Sequence, residues 1–168
     1  FETLTVRDGT VHLKSEGGRV DTLENVSADI TVKRKTAVRI KGSFRLLGEL
    51  MTVDATLGAR IGRGGTSRMP LKAQLQSGLL NLNIDGRIDL GQGLQLIAPT
   101  AEVSIPNIRS VARWLGHVWP SGAGLKNFAA RGSAEWTGQT IAYQKGKFEI
   151  DGNEGNGRAK VGRGLKSV

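Results

Sequence analysis

A chain of 168 residues with 24 Gly, 4 Pro, 8 aromatic residues, no Cys and 24 Lys or Arg against 15 Asp or Glu carries a formal charge of +9 and has about the length of one domain. The absence of Cys removes disulfides, thiolate metal sites and a Cys nucleophile. No run approaches the roughly 20 apolar residues needed for a bilayer-spanning helix. Gly stands at about twice its average usage, which predicts many turns and few long helices, while a hydrophobic share of 38% is too high for a wholly disordered chain.

The chain begins at Phe1 without a Met, and the expectation is one β-rich module over residues 1–168, excised from a longer protein. Leu4 and Val6 precede Asp8-Gly9, and Val11 and Leu13 follow it. That dipeptide tolerates positive φ, so the pattern predicts an opening hairpin. Next, Val26, Ala28, Ile30 and Val32 alternate with polar residues, as do Val38, Ile40, Gly42, Phe44 and Leu46. The same parity runs through Met51 to Leu57, Leu71 to Leu75 and Leu80 to Leu90. Period two puts one polarity on each face of a strand, so half-buried antiparallel strands are predicted.

One segment departs from this. After Pro106, Asn107 suits an N-cap, and Ile108, Val111, Ala112 and Leu115 recur at helical spacing until Gly116. A short amphipathic helix near 107–116 follows, with Trp114, Trp119 and Pro120 close by, as a plug or lid over one end of a sheet. A membrane-surface role fits less well, because the polar side offers only Arg109 and Arg113.

An internal repeat sets the organisation. Gly42, Gly86 and Gly132 each stand at an apolar position of a strand, 44 and 46 residues apart. Each is followed by a Gly-containing turn (Leu47-Gly48-Glu49, Gly91-Gln92-Gly93, Thr137-Gly138-Gln139) and a return strand. A mid-strand Gly weakens a strand, so its recurrence needs a cause. It either lets the sheet curve or leaves space for a ligand on the apolar face.

The chemical inventory is thin. His12 lies on the polar parity of a strand and His117 follows the helix, and neither has a triad or metal partner at a recognisable spacing. Asp85, Asp89, Asp151 and Glu154 fall beside turns or on polar parity. The run Asp151-Gly152-Asn153-Glu154-Gly155-Asn156 resembles a calcium loop, but Gly155 and Gly162 stand where its fifth and twelfth positions need oxygen ligands, so it reads as a Gly-rich turn. Gly62-Arg63-Gly64-Gly65-Thr66 lacks the following Lys-Ser/Thr of a phosphate loop and reads as a connection. Basic residues are spread over polar strand positions (Lys33, Lys35, Arg39, Lys41, Arg45) and the tail (Arg158, Lys160, Arg163, Lys166). They suit a solvated face or anionic lipid. Aromatic stacking platforms do not interleave with them, which disfavours nucleic acid.

Several of these features together resemble the AsmA family of Gram-negative envelope proteins. The likeness rests on Leu4-Thr5-Val6-Arg7-Asp8-Gly9-Thr10-Val11, Thr22-Leu23-Glu24-Asn25-Val26 and Gly42-Ser43-Phe44. It continues through Ile84-Asp85-Gly86, the Val111 to Gly116 segment with Trp114-Leu115-Gly116, and Phe148-Glu149-Ile150-Asp151-Gly152 with Gly157. The resemblance implies a periplasmic β-rich protein, anchored in the inner membrane through a segment missing here, that acts in outer-membrane biogenesis and conducts phospholipid along an apolar channel.

The expected fold is all-β: a strongly twisted, curved, mainly antiparallel sheet, either a repeating β-groove or an open jelly-roll-like form, with one short helix. Ile40, Gly42, Phe44, Leu82, Ile84, Gly86, Ile88, Ala130 and Gly132 would line a lipid groove, and Ile108, Val111, Ala112 and Leu115 would cap its end. No catalytic residue, metal or cofactor is expected. Acyl chains are the expected partners and other envelope proteins are possible ones. The rivals are a packed-shut interaction module and a carbohydrate-active enzyme, the latter needing convergent carboxylates where this pattern places apolar side chains.

Overall fold

The computed structural model describes residues 2–14, 20–33, 36–62, 67–91, 93–118, 122, 124–137 and 140–162, the side chain of Val161 excepted. Ten strands follow in chain order: β1 (Glu2–Lys14), β2 (Val20–Lys33), β3 (Ala37–Leu46), β4 (Glu49–Gly58), β5 (Ser67–Ser77), β6 (Asn81–Leu90), β7 (Leu94–Ile105), β8 (Phe128–Trp136), β9 (Thr140–Ile150) and β10 (Asn153–Gly162). One helix, α1 (Ile108–Trp114), stands between β7 and β8. The strands form one twisted sheet whose spatial order is the chain order, every neighbouring pair antiparallel, and the sheet is not closed. The all-β antiparallel fold with a single short helix is therefore as the alternation predicts.

The opening of the chain differs from expectation. β1 runs straight through Asp8-Gly9 and pairs with β2 over its whole length, with register shifts on both sides of Gly9. Asp8 takes φ 51. A residue in that conformation inside a strand makes a β-bulge, which reverses the parity of everything beyond it. Val6 and Val11 thus stay on one face without any hairpin. β2 carries the matching break at Asn25 (φ 50), between the Glu24–Arg45 and Ser27–Ser43 pairs.

Bulges recur at mid-strand. β7 holds an extra residue around Pro99, where register shifts occur against both β6 and β8. Proline has no amide to donate and is tolerated at such an interruption. β9 bulges at Lys145 (φ 51), between the pairs Arg131–Lys147 and Ser133–Gln144.

The repeated glycines face these interruptions. A Cβ on Gly42 would stand 2.3 Å from the Ser27 carbonyl oxygen, one on Gly86 2.3 Å from that of Ile97, and one on Gly132 3.0 Å from that of Gln144. In all three repeats the room left by the missing side chain is taken by the backbone of the neighbouring bulged strand. The glycines serve the bend, and the alternative that they leave space for a ligand is corrected by this close approach.

Bulges thus bend β1, β2, β7 and β9, towards the two ends of the sheet, while β3–β4, β4–β5 and β5–β6 pair without a register shift. The strand residues that are buried (Ala28, Met51, Ser67, Ala98, Ala101, Ala130 and Gly146) all have apolar-face parity. With no second layer of strands among the described residues, that face gains cover by curving inward. The accessible surface of 12047 Å² exceeds by about half the roughly 8,000 Å² that a compact chain of this mass exposes. A single curved layer explains the excess.

Two further readings change. Asp151-Gly152 is a two-residue turn between the paired Ile150 and Asn153, and the residues after it form edge strand β10, where a Gly-rich turn and a basic tail were expected. Arg163 and Lys166 lie outside the described residues, as do Lys35, residues 63–66 of the glycine-rich connection, Gln92, Gly138, Gln139, Trp119 and Pro120.

The Asp151 turn is also a clamp. Its carboxylate accepts the amides of Lys126 (2.7 Å) and Asn127 (3.0 Å), and its own amide donates to Asn127 O (3.3 Å), tying the segment after α1 to the β9–β10 turn. Backbone hydrogen bonds, that from Asn127 foremost, hold the Asp151 carboxyl below its ordinary value. A depressed carboxyl contributes stability above its unfolded pKa of about 3.9, and that contribution is lost as pH falls through the lower folded value. Denaturant titrations from pH 5 down to pH 2 should therefore show the wild type losing stability faster than Asp151→Asn, because Asn keeps the left-handed turn but has no charge to lose.

Candidate functional site

The register gathers the apolar side chains into continuous rows. Val6, Ala28, Gly42, Val53, Leu75, Leu82, Val103, Ala130, Phe148 and Gly155 are successive partners across all ten strands. A parallel row contains Leu4, Ile30, Ile40, Ala55, Ala73, Ile84, Ala101 and Gly132. Gly86 faces Leu71, Ile88 lies between Met69 and Leu96, and Phe44 faces Met51. All nine groove-lining candidates therefore share one face of the sheet. Nine inter-strand steps of about 4.8 Å make that face a trough roughly 43 Å long.

The other face is wet. Thr5, Asp29, Lys41, Asp54, Gln74, Asn83, Glu102, Arg131, Lys147 and Asn156 form one polar row over the same ten strands. Cross-strand ion pairs decorate it: Arg39 grips Asp54 at 3.1 and 2.7 Å, and Arg131 meets Glu102 at 3.0 Å. The Arg39 hydrogen bond lowers the Asp54 carboxyl, and the Thr5 hydroxyl, aided by Arg7, lowers that of Asp29. Both carboxylates are in water, so these pairs contribute little to stability. An open cleft of about 380 Å³ lies among such side chains, bordered by Asn83, Glu102, Arg131, Lys147, Glu149 and Asn156. His12 is also on this face, 3.1 Å from the Thr22 hydroxyl, and His117 is exposed.

Helix α1 covers one rim of the trough. Asn107 caps it through its side chain, which accepts from the Ser110 amide (3.2 Å), and Gly116 leaves it at φ 81. Ala112 is buried and Ile108 and Val111 are half-buried, as the spacing predicts. Leu115 is not part of the cap: the helix ends at Trp114, and Leu115 is 52% exposed. Trp114 takes its place, its indole N–H donating to Leu46 O at the end of β3 (3.0 Å), so that α1 reaches from β7 back over the strand ends between them. Trp114→Phe should cost about 1 kcal/mol, the worth of that hydrogen bond. Removing residues 107–119 should expose the rim and promote aggregation, detectable by light scattering; unchanged solubility and melting would deny α1 its covering role.

Sequence reasoning gave Tyr143 and Phe148 no place in the site. Both lie over the third repeat. A Cβ on Gly132 would meet Tyr143 Cε1 at 2.9 Å, and one on Gly146 would meet Phe148 Cζ at 2.6 Å. Tyr143 reaches from β9 over β8 and donates its hydroxyl to Ala101 O on β7, while its ring meets Phe148 at 5.8 Å between centroids. Burial raises its phenol pKa. Four of the five described strand aromatics thus gather on β8 (Phe128, Trp136) and β9 (Tyr143, Phe148), with Phe44 of β3 apart from them on the same face. The signal was present as a glycine set between two aromatic residues in one strand, Tyr143 to Phe148.

Among the described residues, no group of three or more His, Asp or Glu could hold a metal ion, and no helix is long and apolar enough to cross a membrane. Comparison with family models, with curated proteins and with solved structures finds no match.

Proposed function

We propose that this module is a non-enzymatic carrier of lipid acyl chains in the Gram-negative periplasm, acting in outer-membrane biogenesis as an AsmA-like protein. One observation carries the reading: an apolar face ten strands wide that no second sheet covers among the described residues. Ile40 remains 36% exposed on it, and Leu82, Ile84 and Ile88 are half-buried. Water against such a surface is costly, and each methylene moved onto it from water contributes about 0.8 kcal/mol. A chain of methylenes needs no directional polar partner, so the site requires no catalytic or ligating group. The phospholipid headgroup would stay at the rim, in water.

Native mass spectrometry of the module purified from lipid-containing cells tests this. The expected result is a bound population heavier by the mass of a phospholipid, lost on delipidation. Protein of the bare chain mass throughout, from gentle as well as harsh preparations, would favour the second reading, an envelope protein-interaction module without lipid. That reading draws on the outer edges of β1 and β10, which have no strand partner among the described residues.

A further inference from the structure

The charge of the sheet is divided between its two long rims. Taking the polar row from Thr5 to Asn156 as the midline, the described residues on the side of the β2–β3, β4–β5, β6–β7 and β8–β9 connections include nine Lys or Arg against four Asp or Glu. On the side of α1 and the β3–β4 and β9–β10 turns they include six against seven. The midline itself balances at three of each. The excess positive charge of the described residues therefore sits along one rim.

Two of its four acids are engaged by the rim's own cations. Asp89 is shared by Arg87 (3.1 Å) and Arg68 (3.8 Å), and Asp85 meets Lys72 (3.3 Å). Arg60, Lys145, Arg158 and Lys160 add positive charge on exposed positions. Apolar side chains stand out among them: Ile61 is 63% exposed, Ile141 50% and Leu94 46%. Exposed apolar residues occur on the opposite rim too, so it is the charge that tells the rims apart.

We propose that this basic rim docks the module on an anionic phospholipid surface. Each Lys or Arg near such a surface adds attraction that falls off within a Debye length, and neighbouring apolar side chains can enter the headgroup boundary. Nucleic acid would also meet the charge. It would find no base-stacking platform, since the described aromatic residues of the strands (Phe44, Phe128, Trp136, Tyr143, Phe148) have trough parity. With the rim on the membrane, the trough lies alongside the bilayer and the less basic rim, with α1, faces away.

The test is co-sedimentation with vesicles of phosphatidylcholine alone and of phosphatidylcholine with phosphatidylglycerol. Binding is expected only to the anionic vesicles, and it should be lost as salt rises to about 0.5 M, where the Debye length is a few ångströms. Arg60→Glu with Lys160→Glu should weaken it by at least roughly thirtyfold, from the removal of two rim cations. Lys14→Glu with Arg113→Glu changes the net charge equally on the other rim and should leave it within about twofold. Equal losses from both pairs would replace the rim with a diffuse net-charge effect, and salt-insensitive or absent binding of the wild type would overturn the proposal. So would tighter binding to duplex DNA than to anionic vesicles. The salt series needs no variant, and vesicle binding can fail while lipid still co-purifies, so the two readings fail separately.

Discussion

Gly86→Val should destabilise the module by about 3 kcal/mol or more, at the upper end of what overpacking costs. The reason is backbone. The first added carbon would lie 2.3 Å from Ile97 O and 2.7 Å from Ala98 Cα, so β7 itself must move away from β6. Neither obstacle is the end of a flexible side chain. The bulge at Pro99 would open and the bend of the central strands would relax. Gly155→Ala is the control, since nothing lies within 4 Å of its Cβ position and its φ is not left-handed. That change should be neutral or stabilise by about 0.5 kcal/mol through the unfolded chain. Equal denaturation midpoints for Gly86→Val and wild type would show that the recurrent glycines have no part in shaping the sheet.

Ile84→Asp should abolish lipid co-purification and lower stability by about 3 kcal/mol. Ile84 lies between Ala73 and Ala101 on the apolar face, with Leu82 two residues along the same strand. A carboxylate there would stand between the methyl groups of Ala73 and Ala101, with no cation directly opposite to meet. Asn83→Asp, one residue away on the polar row, changes the same formal charge and should leave both properties nearly unaltered. If Ile84→Asp unfolds, Ile84→Asn at lower temperature provides the lipid readout. A folded Ile84→Asp that retains its lipid would mean that acyl chains do not lie on this face.

Much of the fold was legible in period two. Val38 to Leu46 and Leu80 to Leu90 alternate without a break, and their strands pair through most of the predicted span. Where the parity breaks, the sequence is ambiguous for a physical reason. A two-residue turn and a left-handed bulge at Asp8 both leave Val6 and Val11 on the same face. What separates them is the partner strand, because Asn25 places a second break in β2 opposite the first. Local pattern holds no record of that pairing. β10 was hidden differently: with Gly155, Gly157 and Gly162 it lacks the side chains that mark a strand, and it is extended because β9 supplies its hydrogen-bonding edge.

The candidate site shows the same division. Shared parity was enough to put nine residues from Ile40 to Gly132 on one face. It could not foresee that the space beside Gly42, Gly86 and Gly132 is taken by carbonyls of bulged neighbours, since those carbonyls come from strands 11 to 15 residues away in sequence. Leu115 continued the helical spacing, but the chain leaves the helix one residue earlier, and Trp114 reaches the rim, where its indole donates to the Leu46 carbonyl.

The lack of native Cys permits the most direct test of the central claim, that apolar side chains line an inward, lipid-bearing face. Single cysteines at positions 81 to 85 and 88, each carrying a spin label, can be read for collision with oxygen and with a water-soluble nickel chelate after lipid loading. The account predicts period two: positions 82, 84 and 88 exposed to oxygen and shielded from nickel, with 81, 83 and 85 the reverse. Uniform nickel exposure along the strand, or the opposite phase, would contradict it.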